Sequence, residues 1–147
     1  MIASMGIALA LHVLSAVVWV GGMFFALLVL RPGLSVLAPA QRLQLHAEVL
    51  RRFFRVVWHA MPLILLTGYA MLLGLYGGFA GVDWGVHVMH LLGLIMAAIF
   101  VAIVFGPYAR FRTAPSPSAA DAIRRLVLVN LVLGLITIVV AAISGYT

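Results

Sequence analysis

The sequence predicts an all-α membrane protein, a bundle of four transmembrane helices that forms a single domain over residues 1–147. The first observation is composition: 66% of the residues are hydrophobic and only 8% are charged. An average soluble domain carries about 25% charged residues. So few charges cannot cover a water-soluble protein of this size, and lipid is therefore the expected solvent.

The second observation is the length of the apolar segments, which the sequence places at residues 5–30, 56–76, 84–107 and 126–145. Each is about 20 to 26 residues long, which at about 1.5 Å per residue is sufficient to cross a bilayer. The first segment has no basic residue before it and exceeds the about 7–15 residues of a signal-peptide core. We therefore expect it to persist as a helix.

The third observation is the distribution of charge between the loops. All nine basic residues are arginines, and they fall into two groups: Arg31, Arg42, Arg51, Arg52 and Arg55 in the first loop, and Arg110, Arg112, Arg124 and Arg125 in the third. The second loop, 77–83, has no basic residue. Basic residues in short loops stay cytoplasmic, so both termini are predicted outside. The arginines behind the net charge of +6 are therefore expected to orient the helices and to contact anionic lipid headgroups. Nucleic acid is not expected as a partner.

The first loop is predicted to contain an amphipathic helix at the cytoplasmic surface, continuing into the second span. After Pro39, charged residues alternate with apolar ones at helical spacing. Within it Glu48 can pair with Arg51 or Arg52 one turn later, and His46 is interpreted as an interfacial residue. The third loop contains a turn-rich linker at residues 113–119.

Four histidines fall within or at the edges of the spans, where hydrocarbon offers polar groups no partners. His12, His87 and His90 are predicted in the outer half of the bundle, and His59 near its inner face. Two imidazoles facing each other at one depth can hold haem b or a metal ion, so His12 with either His87 or His90 is the candidate pair. His59 has no histidine at its own depth and cannot complete a second bis-histidine site within one chain, but it is kept as a further candidate cofactor-binding residue. The alternative is that these histidines only bridge helices by hydrogen bonds.

Two stripes of small and polar residues recur at helical spacing. The first contains His12, Ser15, Trp19, Gly22 and Ala26; the second contains Asn130, Gly134, Thr137, Ala141 and Ser144. Small residues let another helix or a flat cofactor approach closely. The first stripe therefore predicts a pocket, with Trp19 as its wall or as ordinary packing. The second predicts a tight helix contact with hydrogen bonds from Asn130 and Thr137 across it.

The available donor atoms limit the chemistry. The chain has no cysteine, which excludes disulfides and thiolate metal sites. Methionines lie in or beside the spans at Met5, Met23, Met61, Met71, Met89 and Met96. Thioethers and imidazoles suit Cu(I), although methionine also fills gaps in cores. The spans contain no carboxylate, and none of the familiar hydrolase or phosphate-binding motifs is present.

Several motifs together resemble those of the CopD family of bacterial inner-membrane proteins. In order they are Leu11–Phe25 with Arg31-Pro32, then Arg51–Arg55, Leu66-Thr-Gly, His87-Val-Met, Phe105–Arg110 and Arg124–Gly134. The resemblance covers nearly the whole chain. It implies a multi-pass inner-membrane protein with a four-helix core and a link to copper uptake or resistance. Carried over onto this sequence, it points to His12, Trp19, Arg31, His87 and Asn130.

A more distant resemblance is to HemJ-type protoporphyrinogen oxidases, which also carry a histidine and a Trp-x-Gly in the first span and are linked to haem. They place a lysine in the third span, and this sequence contains no lysine.

Three functions follow as hypotheses. The leading one is a haem b protein with axial ligands His12 and His87 or His90, which transfers electrons as a cytochrome b-type oxidoreductase with a quinone or another redox partner. The second is a protein that binds or transports copper through the same histidines joined by Met89 or Met23. The third is a structural membrane subunit. Four helices leave limited room for a large cofactor, so a homodimer is also expected.

Overall fold

Four long helices dominate the computed structural model, which describes residues 2–144. They are α1 (Ile2–Phe25), α3 (Pro39–Tyr76), α4 (Trp84–Phe105) and α6 (Pro117–Ser144). Each belongs to a helical segment long and apolar enough to cross a membrane. The predicted four-span, all-α fold is therefore confirmed. The last residue of the predicted fourth span, Gly145, lies outside the described residues.

The first span does not stop at the end of α1. It continues as a π-helical turn, Ala26–Leu30, then as the short helix α2 (Arg31–Gly33) and a 3₁₀ turn, Leu34–Val36. Pro32 cannot donate a backbone hydrogen bond and its ring crowds the carbonyl four residues earlier. This accounts for the wider turn, in which the Arg31 amide donates to the Ala26 carbonyl.

Arg42 fixes the connection that follows. Its guanidinium donates to three backbone carbonyls, those of Leu34 at 3.1 Å, Ser35 at 3.2 Å and Leu37 at 3.1 Å. These carbonyls belong to the 3₁₀ turn and the residue after it. Arg42 is therefore committed to holding α3 against the end of the first span.

Helix α3 joins the predicted amphipathic segment and the second span into one helix of 38 residues. The Gln41 side chain accepts from the Ala38 amide at its start, at 3.3 Å. The predicted pairing of Glu48 is confirmed, because its carboxylate lies 2.6 Å from both the Arg51 and Arg52 guanidinium groups. These two partners hold the pKa of the Glu48 carboxyl at about 2, so it stays ionised at physiological pH.

The helix ends follow from local sequence. Gly77 closes α3 in the left-handed region, with φ of 67°, which is where glycine carries no steric penalty. Asp83 caps α4 by accepting from the Val86 amide at 3.1 Å.

The third loop is more helical than predicted. Helix α4 ends at Phe105, two residues before the predicted boundary, and a further helix, α5 (Pro107–Thr113), follows Gly106. The linker predicted over 113–119 is too long, because α6 already begins at Pro117. Proline is well suited to the first turn of a helix, and the Ser116 hydroxyl caps this one by accepting from the Ala119 amide at 3.3 Å.

The long helices pack as two main pairs, α1 with α3 and α4 with α6, and α1 also contacts α6. An aromatic cluster joins the pairs: Trp19 of α1 meets Phe100 of α4 edge-to-face with ring centroids 6.0 Å apart, and Phe54 of α3 lies between Phe100 and Tyr108. Large side chains such as Leu66 and Phe105 point outward, with 68% and 70% of their surface exposed. Such an apolar exterior suits lipid contact.

The two ends of the bundle are distinct. At one end, the Met5 side chain contacts Gly74 and Ser144 lies against Gly85, so the start of α1, the end of α6 and the 77–83 loop share it. We call this the outer end. The other end carries the arginines, and we expect it to be cytoplasmic.

Cysteine labelling tests this orientation directly, because the natural chain has no cysteine. Ala80 in the second loop and Ala114 in the third are both exposed. We expect Ala80→Cys to react with a membrane-impermeant maleimide in intact cells with a permeable outer membrane. Ala114→Cys should react only after the inner membrane is opened. The reverse pattern would invert the orientation.

Candidate functional site

His12 lies on α1, half-buried against α3. Its ring Nδ1 is 3.1 Å from the Thr67 hydroxyl. A Cβ on Gly68 would lie 3.2 Å from Cε1 of the ring, so glycine at this position is what lets the imidazole approach the α3 backbone. Thr67 itself is buried and donates to the Leu63 carbonyl at 2.7 Å.

Met5 lies two helical turns before His12 and also contacts α3. Its Sδ is 3.3 Å from the position of a Cβ on Gly74. Met71 is half-buried and lies on the same face of α3, four residues after Thr67 and three before Gly74. We call the contact surface between α1 and α3 the α1–α3 seam. It contains Met5, His12, Thr67, Gly68 and Gly74, and the spacing of Met71 places it on the same face of α3.

The other two outer histidines lie elsewhere. The His87 ring stacks on Phe79 with centroids 5.8 Å apart. The His90 ring meets Phe79 at 4.9 Å, and its Nε2 is 3.3 Å from the Tyr69 hydroxyl. We call this group of side chains, beside the 77–83 loop, the outer aromatic cluster; it consists of Tyr69, Phe79, His87 and His90. His87 is exposed and His90 is half-buried.

The structure does not show His12 in contact with His87 or His90. Among residues 2–144, His12 bonds to α3, whereas the rings of His87 and His90 contact Phe79. No group of three or more His, Cys, Asp or Glu side chains that could hold a metal ion is found in this described part. A metal at either place would therefore need donors of another kind, such as thioethers.

The remaining residues of the first stripe pack into the bundle. Trp19 is 3% exposed and belongs to the core. This position agrees with ordinary packing, the second of the two roles considered for this residue. Gly22 faces the Phe53 ring so closely that any added Cβ would overlap it.

His59 is exposed, and its Nδ1 donates to the Arg55 carbonyl at 2.7 Å. Its hydrogen bond is thus made within its own helix.

The second stripe behaves partly as predicted. Asn130 is 1% exposed and donates from Nδ2 to the Met96 carbonyl of α4 at 3.3 Å, which confirms the predicted bond across the contact. The prediction for Thr137 is wrong, because its hydroxyl donates to the Leu133 carbonyl of its own helix at 2.8 Å. A threonine in a helix commonly bonds to the carbonyl one turn earlier.

The end of the bundle that carries the arginines holds a charged groove of about 850 Å³. Arg31, at its wall, pairs with Asp121 at 3.8 Å, and Asp121 also pairs with Arg124 at 3.3 Å. His46 of the loop segment faces the same groove, and its ring lies against Phe111. Burial lowers the pKa of His46, the positive charge of Arg31 lowers it further, and Asp121 opposes both. Together these contributions favour the neutral form of the His46 ring.

Three residues around the histidines were given no role by the sequence: Tyr69, Phe79 and Thr67, which appeared there only within the Leu66-Thr-Gly motif. A threonine in a span is too common to single out, although the Thr-Gly pair at 67–68 combines a hydroxyl with a residue that admits close approach. Tyr69 and Phe79 are aromatic residues at a membrane boundary, where they need no special function.

Comparison with known proteins gives one match. The CopD family, described as "Copper resistance protein D", matches residues 47–144, which is more than half of the chain. The matched part contains Thr67, His87, His90 and Asn130, whereas His12 and Trp19 precede it. No curated protein and no solved structure matches the chain significantly.

Proposed function

The chain belongs to the CopD family, and we propose that it binds Cu(I) in the outer half of its helix bundle as part of copper handling in the inner membrane. The family description supports copper over haem. The hypothesis of haem b held by His12 with His87 or His90 has no support from the family match.

The observation that carries this proposal is that an imidazole and a thioether, two helical turns apart on α1, both lie in the α1–α3 seam. His12 and Met5 both contact α3 there, each against a glycine. Imidazole and thioether are ligands that suit Cu(I), and the chain has no cysteine to compete with them. Met71 is half-buried, and its position on α3 between Thr67 and Gly74 makes it the candidate for a further donor.

The outer aromatic cluster has a separate role in this proposal. His87 is exposed beside the 77–83 loop, so it can meet an ion that arrives from outside. His90 is tied to Tyr69 and lies one turn deeper in α4. We assign these two histidines to capture of copper at the outer end, and His12 to binding within the bundle.

The test is a Cu(I) competition titration of the detergent-purified protein against a chromogenic Cu(I) chelator under reducing conditions. The proposal predicts that about one Cu(I) per chain resists the chelator, because a site with several soft donors holds Cu(I) tightly. An absorption spectrum of the same sample after expression with added haem reports the haem alternative.

Failure to retain Cu(I) would contradict the proposal, and an intense Soret band in that sample would favour the haem hypothesis instead. Deletion of the gene supplies a second readout. Cells should change their growth response to added copper, and an unchanged response would count against a role in copper handling.

A further inference from the structure

The hydrogen bonds of Thr67 restrict where the proton of the His12 ring can be. A threonine hydroxyl carries one proton. The Thr67 Oγ1 lies 2.7 Å from the Leu63 carbonyl oxygen and 3.2 Å from that of Ile64, and carbonyl oxygens can only accept, so the hydroxyl donates its proton to the backbone. The hydroxyl oxygen is then left as an acceptor, and the group facing it at 3.1 Å is Nδ1 of His12.

We infer that Thr67 is a positioning residue that holds neutral His12 with its proton on Nδ1, so that the lone pair of Nε2 is the metal-binding atom. The metal part of this inference rests on the proposed copper function, whereas the tautomer does not. Hydrogen bonding at one ring nitrogen decides which nitrogen is left to bind a metal, and partners of this kind orient metal-binding histidines in many proteins.

The packing supports the same arrangement. The Nδ1–Cε1 edge of the ring faces α3, because a Cβ on Gly68 would lie 3.2 Å from Cε1 and 3.5 Å from Nδ1. The ring bonds to the Thr67 hydroxyl through Nδ1, and the backbone of Ile64, three residues earlier on α3, also forms a hydrogen bond with the ring. Nδ1 and Cε1 are the ring atoms nearest Gly68, which leaves Nε2 for a metal, and an unprotonated Nε2 is a good ligand for Cu(I).

The tautomer can be measured without any metal. Protein labelled with ¹⁵N-histidine, in detergent and at a pH above the histidine titrations, gives separate signals for protonated and unprotonated ring nitrogens. For His12, assigned through His12→Gln, we expect a protonated Nδ1 and an unprotonated Nε2. Thr67→Ser, which keeps the hydroxyl, should preserve this pattern. Thr67→Val, which keeps the shape but has no acceptor, should lose it.

His59 is the internal control, because its Nδ1 bonds to a carbonyl of its own helix and its signals should be the same in all variants. Altered His59 signals in a variant would reveal a change of fold in that variant. If this happens in Thr67→Val, the His12 signals of wild-type protein and Thr67→Ser are the ones compared. A wild-type His12 protonated on Nε2, or an unchanged pattern in a folded Thr67→Val, would overturn the inference.

The metal part has its own readout. Thr67→Val should weaken Cu(I) binding by about 10- to 100-fold, the usual effect of losing an orienting partner, while Thr67→Ser stays near the wild-type value. If wild-type protein binds no Cu(I) yet shows the expected tautomer, the proposed function fails and the positioning role of Thr67 stands. If Cu(I) binds but His12 is protonated on Nε2, the proposed function stands and the positioning role of Thr67 fails.

Discussion

His12→Ala is expected to weaken Cu(I) binding by at least about 100-fold in the competition titration. The substitution removes a ligand, and loss of an outer partner alone typically costs about 10- to 100-fold in metal affinity. The effect should appear as loss of the tightly held Cu(I), without loss of the helical signal in circular dichroism. His12 is half-buried, so the alanine variant leaves a small space rather than an unpaired charge.

His59→Ala is the matched control. It removes an imidazole from the same chain, but one that is exposed and bonded to the Arg55 carbonyl. Its Cu(I) affinity should equal that of the wild type. If His12→Ala binds Cu(I) as tightly as His59→Ala does, the α1–α3 seam is not the binding place, and the outer aromatic cluster would have to provide it.

Gly134→Ala is expected to destabilise the protein by about 1–3 kcal/mol, the usual cost of overpacking a filled core. The added Cβ would lie 2.8 Å from Cγ2 of Val20 and 3.1 Å from Cε of Met96. Val20 is buried and β-branched, so it has little freedom to move aside. Thermal unfolding in detergent, followed by circular dichroism, should show a lower midpoint.

Gly93→Ala provides the comparison, since no atom of the described residues lies within 4 Å of its added Cβ. Both substitutions replace glycine in the middle of a long helix, where alanine is favoured by roughly 0.5–1 kcal/mol. Gly93→Ala should therefore leave the midpoint unchanged or raise it. Equal midpoints for the two variants would show that α1, α4 and α6 do not meet closely at Gly134.

The sequence was sufficient to predict the helices because hydropathy and charge act along the chain. Four apolar segments, and arginines confined to two loops, needed no knowledge of packing. The helix boundaries were harder to predict where helix-capping residues lie inside a segment whose composition is typical of a turn. Helix α6 begins at Pro117 inside the predicted linker, because a proline at the first turn and the hydroxyl of Ser116 start a helix that composition alone describes as a turn.

The neighbours of each histidine were not predictable in the same way. Sequence gives the depth of His12 in the membrane, but not the direction in which its helix face points. At that depth, residues of α3 and of α4 were equally available as partners. The structure pairs His12 with Thr67 of α3, because Gly68 and Gly74 allow α1 to approach α3 closely.

The same distinction explains Asn130 and Thr137. Both lie in one stripe of α6, yet only Asn130 bonds across to α4. An amide reaches beyond its own helix, whereas a threonine hydroxyl lies close enough to bond to the preceding turn. Spacing identifies the shared face, and the length of each side chain decides which bond it makes.

X-ray absorption at the copper K-edge of the Cu(I)-loaded protein tests the claim that imidazole and thioether hold Cu(I) in the α1–α3 seam. We predict a first shell that contains both nitrogen and sulfur, with the nitrogen contribution reduced in His12→Ala and the sulfur contribution reduced in Met5→Leu. A shell without sulfur, or one that is identical in all three proteins, would contradict the claim.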